Sequence, residues 1–165
     1  MIQKKVCVLG AFAVGKTSLV RRFVTSMFSD RYHTTIGVKI DCKELMLNGN
    51  GLNLVIWDIH GEDVFQRVRS SYLRGAAGYL LVVDGTRSST LDQMLTLQAR
   101  AQEAIGNAPF VVLLNKADLS EQWDLEEDPI ADLEARGWTV IMTSAKTGAG
   151  VDAAFDTLAR RLIAS

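Results

Sequence analysis

The sequence predicts an α/β sandwich: one mixed six-stranded sheet with helices on both faces, filling the whole chain as a single domain, residues 1–165. Three observations predict it. Five short apolar runs, Val6–Leu9, Leu52–Trp57, Tyr79–Val83, Phe110–Leu114 and Trp138–Met142, suit strands buried on both faces of a parallel sheet. The segment Val38–Leu47 alternates at its start and runs into Asn48-Gly49-Asn50-Gly51, so it reads as the antiparallel arm of a hairpin with Leu52–Trp57. Helical stripes lie between the runs, and strands alternating with helices place ligands at the carboxyl ends of the strands.

The helices follow in order. Leu19, Val20, Phe23 and Val24 form a short stripe. Leu91, Met94, Leu95 and Ile105 form a second, with Thr90 and Gln93 spaced as a capping box. Asp128-Pro129 reads as an N-cap and first-turn proline, and Gly137 as the stop of that helix. Val151, Ala154, Phe155, Leu158 and Leu162 give a closing amphipathic helix. About five helices are expected.

Composition narrows the class. With 48% hydrophobic residues among 165, the chain can build one core but hardly two. A formal net charge of −1 gives no bulk attraction to nucleic acid or membrane. The acidic stretch Glu121, Asp124, Glu126, Glu127, Asp128, Asp132 and Glu134 reads as a solvated loop and helix face, a partner-docking surface being the alternative. Cys7 and Cys42 fall in strands, where a thiol is a small apolar filler, and no disulfide or metal spacing exists; a cytoplasmic protein is expected. Lys4-Lys5 and the apolar run after them imitate a signal peptide, but the same residues open a ligand motif. No apolar run spans a bilayer. Ile2 excludes myristoylation and the tail carries no cysteine to prenylate, so no direct lipid anchor is expected.

The first run ends in Gly10-Ala11-Phe12-Ala13-Val14-Gly15-Lys16-Thr17, which fits G-x-x-x-x-G-K-[ST] between a strand and a helix. Such a loop turns its backbone N–H groups, here from Ala13 to Ser18, toward phosphate oxygens, helped by the positive end of the helix dipole. Lys16 can reach the β- and γ-phosphates, and the Thr17 hydroxyl can ligate Mg²⁺. Taken alone, the motif leaves ATP open.

Two further motifs settle the base. Asn115-Lys116-Ala117-Asp118 follows one strand run, and Thr143-Ser144-Ala145-Lys146 follows another. Guanine offers N1–H and N2–H₂ as a donor pair that the Asp118 carboxylate can accept, whereas adenine would strand it. The Ala145 N–H is placed to donate to guanine O6, and the Lys116 stem to lie over the base.

The ordered set G-x-x-x-x-G-K-T, T-I-G, W-D-x-x-G, N-K-A-D and T-S-A-K resembles the Ras superfamily of small GTPases, whose fold is the P-loop NTPase G domain. The segments T-T-I-G-V and S-S-Y-L-R-G-A resemble its Rab-like branch. The likeness runs from Lys5 to Ile163. It implies a GTP/GDP switch that hydrolyses GTP, with Mg²⁺ held by Thr17, Thr35 and, through water, Asp58. It also implies that Gly61 touches the γ-phosphate and that Phe28 and Tyr32 flank the nucleotide, ordinary packing being the alternative for Phe28. Asn115, Lys116, Asp118, Ser144, Ala145 and Lys146 would form the base site. Protein effectors would dock at the two switch segments and along the Val38–Leu47 edge of a monomer.

Two departures bear on catalysis, for which the resemblance implies Lys16, Thr35, Gly61 and position 62. The family's glutamine after D-x-x-G is Glu62 here. An ionised glutamate only accepts hydrogen bonds and repels the γ-phosphate, although a raised pKa would let it act as a base. Phe12 replaces the usual small residue where an activating arginine would enter. His60 reads as structural or surface. Arg31, Arg67, Arg69, Arg74 and Arg87 offer no unambiguous substitute arginine. Slow turnover is expected. The alternative is a GTP-holding module with negligible hydrolysis, read by its effectors; an ATPase or kinase conflicts with Asp118.

Overall fold

The computed structural model describes residues 2–25, 33–35, 38–59, 70–125 and 129–164. Elements run β1 (Ile2–Gly10), α1 (Lys16–Val24), β2 (His33–Thr35), β3 (Val38–Leu47), β4 (Asn50–Ile59), α2 (Ser70–Leu73), β5 (Gly78–Asp84), α3 (Ser89–Ile105), β6 (Phe110–Asn115), α4 (Pro129–Ala135), β7 (Val140–Met142) and α5 (Val151–Ala164). A 3-10 turn occupies Ala117–Gln122 between β6 and α4.

The six expected strands form one mixed sheet, extended at one edge by the three-residue β2, in the order β2-β3-β4-β1-β5-β6-β7. Pairing is parallel for β1 with β4 and β5, and onward through β6 to β7. It is antiparallel for β3 with both β2 and β4. The β3–β4 hairpin closes with Leu47 opposite Asn50, around Asn48 and Gly49 with φ of 53° and 79°. Positive φ at both central residues gives the twist that a two-residue hairpin needs.

Alternation along the strands sorts side chains into two cores. Val6, Val8, Leu54, Ile56, Leu80, Val82, Val111 and Leu113 pack under α1 and α5, where Phe23 stacks on Phe155 at 3.9 Å between ring centroids. Cys7, Leu9, Tyr79, Leu81, Val83, Val112 and Leu114 face Leu73 of α2, Met94, Leu97 and Ala101 of α3, and Leu133 of α4. Helices therefore cover both faces, as expected.

Three local expectations change. Thr90 caps no helix by a box. It sits one residue inside α3, and its hydroxyl donates to the Arg87 and Asp84 carbonyls while accepting from the Asp84 N–H, lacing the helix start to the end of β5. Cys42 is exposed rather than filling the core, because its face of β3 turns outward; Cys7 is buried. The Val38–Leu47 edge is partly covered, since β2 pairs His33 with Ile40 and Thr35 with Val38. Within β3, Asp41–Leu47 keeps its outer ladder edge open among the described residues. Asp128 lies outside the described residues, but α4 does begin at Pro129, and Gly137 ends it with φ of 84° and an N–H bonded to the Glu134 carbonyl.

The strand order reverses at β1: sequence neighbours lie to one side of it and later strands to the other. A cleft opens at the carboxyl end of such a strand, and the glycine-rich motif sits there.

Candidate nucleotide site

Four loops meet at the carboxyl ends of β1, β5, β6 and β7. The first leaves β1 at Gly10 and enters α1 at Lys16. Gly15 is the residue before the helix, in a left-handed conformation (φ 102°), and Ala13 is also left-handed (φ 61°). Lys16 is buried, with its ammonium donating to the Gly10 carbonyl at 3.3 Å. The Thr17 hydroxyl donates to Asp58 Oδ2 at 2.6 Å, joining the start of α1 to the end of β4. Phe12 projects outward at 72% exposure.

Asn115, at the end of β6, fastens the loops together. Its amide donates to the Val14 carbonyl at 2.8 Å and accepts from the Thr143 hydroxyl at 3.1 Å. It is buried, and a Cβ on Gly15 would lie 2.3 Å from its Nδ2. Glycine at 15 is thus required twice, by its φ and by this contact. Gly15→Ala is expected to destabilise the fold by about 2–4 kcal/mol, from a strained backbone and a displaced buried amide. Denaturant unfolding checks it.

The base-side loop follows. Lys116 is left-handed (φ 69°), which turns the chain into the 3-10 turn and aims Asp118 back toward the sheet. The Asp118 carboxylate accepts from the Ser144 hydroxyl at 2.7 Å, and the Ser144 oxygen in turn accepts from the Thr147 N–H at 3.1 Å. The Ala117 N–H bonds the Thr143 carbonyl at 3.0 Å, tying the β6 loop to the β7 loop. Gly15, Ser18, Asn115, Lys116, Asp118, Leu119, Ala145 and Lys146 line a pocket of about 380 Å³. Two of the sequence-predicted phosphate residues, Gly15 and Ser18, therefore share one cleft with Asn115, Lys116, Asp118, Ala145 and Lys146 of the predicted base site.

Asp84 was not singled out by the sequence reading. It ends β5, is fully buried, and holds two cations on one oxygen: Lys116 Nζ at 2.7 Å and Arg87 Nε at 3.0 Å from Oδ2. Its Oδ1 takes the Thr86 N–H and hydroxyl at 2.9 and 2.7 Å. Burial pushes its pKa up, but the bonds from Lys116, Thr86 and Arg87 together outweigh that and hold it down at about 2. The only available sequence signal was an acid closing an apolar run, which also reads as a plain turn.

The remaining expected site residues are not brought into view. Phe28, Tyr32, His60, Gly61 and Glu62 lie outside the described residues, as do Arg31, Arg67 and Arg69. Thr35 is described as backbone, the last residue of β2. For Mg²⁺, the donors at Thr17 and Asp58 are a hydroxyl and a carboxylate within hydrogen-bond reach of each other. No cluster of three acids, histidines or cysteines exists among the described residues. Hard oxygens in small number fit an ion that takes its other ligands from phosphates and water.

Comparison with known proteins agrees with this geometry. A family profile described as Ras family matches residues 5–164. The chain is 34% identical over 161 residues to the Ras-related protein Rab-1 of Theileria parva, an alignment covering 96% of this chain and 73% of that protein. Among the described residues, no helix is long and apolar enough to cross a membrane. The chain belongs to the Ras family of GTP-binding switch GTPases.

Proposed function

We propose that the cleft binds guanosine di- and triphosphate with Mg²⁺, and that GTP is turned over slowly. The observation carrying this reading is the convergence of Asp118, Ala145 and Lys116 with Gly15 and Ser18 on one pocket. Asp118 accepts the two guanine donors, with its carboxylate oriented by Ser144. The Ala145 N–H donates to O6, and the Lys116 stem covers the base while its ammonium is turned away onto Asp84. Ala13 to Ser18 wrap the phosphates, and Lys16 offsets their charge. Thr17, Thr35 and, through water, Asp58 would hold Mg²⁺, which when bound would neutralise phosphate charge. Phe28 and Tyr32 flank the nucleotide. Gly61 tethers the second switch, so losing the γ-phosphate releases both switch segments. Effectors read that change at the switches and along the open edge at Asp41–Leu47, on a monomer in the cytoplasm.

Slow turnover follows from Glu62 and Phe12. A glutamate in place of glutamine cannot donate to the transferring phosphoryl group. The Phe12 ring stands exposed at the mouth of the phosphate loop, where it obstructs an incoming arginine. Single-turnover hydrolysis should accelerate by about tenfold or more in Phe12→Gly/Glu62→Gln, from restored water positioning. Wild-type turnover equal to the double variant would refute this. The exposed Phe12 also favours a second reading, a GTP-holding module with negligible hydrolysis. The nucleotide released from freshly purified protein separates them: mostly GDP supports turnover, mostly GTP supports the module, and an adenine nucleotide overturns both.

A further inference from the structure

Arg87, on the loop between β5 and α3, has a forked contact that belongs to neither the base motif nor the phosphate motif. Its Nη2 donates to the Phe12 carbonyl at 2.6 Å, and its Nε donates to Asp84 Oδ2 at 3.0 Å. The same Asp84 oxygen holds Lys116 Nζ at 2.7 Å. A continuous chain of charged hydrogen bonds thus runs from the phosphate loop, through Arg87 and Asp84, to the base loop. The base loop is braced beside it: Trp123 Nε1 donates to the Lys116 carbonyl at 2.9 Å, and its ring lies so close to Gly85 that a Cβ there would meet it at 2.2 Å. Asp124 accepts from the Ser88 hydroxyl at 3.0 Å, fixing the Arg87 loop from the other side.

We infer that Arg87 and Asp84 are positioning residues that lock the phosphate loop to the base loop and thereby set how long a guanine nucleotide stays bound. This rests on the nucleotide site proposed above. The argument is geometric. A ligand gripped at both ends leaves when one loop parts from the other, and this bridge spans the two. Asp84 is buried with both oxygens occupied, so breaking its contacts leaves a desolvated charge. Parting the loops therefore carries a cost that a solvated ion pair would not impose. Only a guanidinium can serve both acceptors, because its planar fork presents separate N–H groups in fixed directions; a lysine ammonium keeps the charge but reaches one acceptor at a time. The bridge also holds the Phe12 backbone through its carbonyl, while the Phe12 side chain stays exposed.

Wild type, Arg87→Ala, Arg87→Lys and Asp84→Asn are loaded with a fluorescent N-methylanthraniloyl derivative of GDP in excess Mg²⁺ and chased with unlabelled GDP. Release is expected to be about tenfold faster in both Arg87 variants, with association within about twofold of wild type, because the bridge acts after the ligand is seated. Arg87→Ala/Asp84→Asn should release no faster than the faster single variant, because both break one chain of contacts. Release from Arg87→Ala at the wild-type rate, or full restoration by Arg87→Lys, would overturn the inference while leaving guanine-nucleotide binding intact. Failure of the wild type to take up the labelled nucleotide would overturn the site assignment and the inference together. Arg87 is partly exposed, so these variants test the claim even if Asp84→Asn does not fold.

Discussion

Asp118→Asn is expected to exchange guanine for xanthine as the preferred base. The carboxylate accepts two hydrogen bonds, from N1–H and from the exocyclic amine. An asparagine at the same place accepts one and donates one. Xanthine presents N1–H beside a carbonyl, which matches that pattern, while guanine would set an N–H donor against another. Mismatches of this kind strand buried polar groups and cost on the order of 10⁴-fold in discrimination at sites built around hydrogen bonds. The Ser144 hydroxyl that bonds Asp118 at 2.7 Å can donate equally well to the asparagine carbonyl oxygen, so the loop should keep its shape. Competition of xanthosine and guanosine diphosphates for the two proteins measures the exchange, and unchanged preference would remove Asp118 from the base site.

Lys16→Ala is the second large effect. Lys16 is buried at the first turn of α1, with its ammonium already beside the phosphate loop through the Gly10 carbonyl. Charged hydrogen bonds to two phosphates at about 1.5–3 kcal/mol each give a loss of about 3–6 kcal/mol. That is roughly a hundredfold to ten-thousandfold in affinity for GTP. Guanosine monophosphate, which lacks both phosphates, should bind the variant and wild type alike. A fall in its affinity as large as that for GTP would show that the loop had collapsed, rather than that a phosphate contact was lost.

Much of the fold was legible because the strands are buried on both faces and announce themselves as apolar runs. β3 occupies the expected Val38–Leu47, since alternation marks its start and Asn48-Gly49 fixes its end. The run Trp138–Met142 shrank to Val140–Met142 as a strand, because the Trp138 N–H bonds back to the Leu133 carbonyl of α4 instead of joining the ladder. β2 was not legible: three residues carry no period, and its existence comes from pairing with β3. Thr90 resembled a cap because Gln93 sits three residues on, but the hydroxyl found closer partners at the end of β5.

In the site, the residues that touch ligand chemistry could be read from spacing, since phosphate cradles and base selectors need fixed residue types at strand ends. The residues that hold them could not. Asn115 was visible through its motif, yet its bonds to Val14 and Thr143 join segments 101 and 28 residues away in sequence. Asp84 and Arg87 had no motif, because their partners, Lys116 and Phe12, are assembled only by the fold.

Isothermal calorimetry of the protein, stripped of nucleotide and titrated in Mg²⁺ buffer, tests guanine selection most directly. A saturable, one-to-one heat with guanosine diphosphate is predicted, with none from adenosine diphosphate at the same concentration. No heat from the guanine ligand, or equal heats from both, would contradict it.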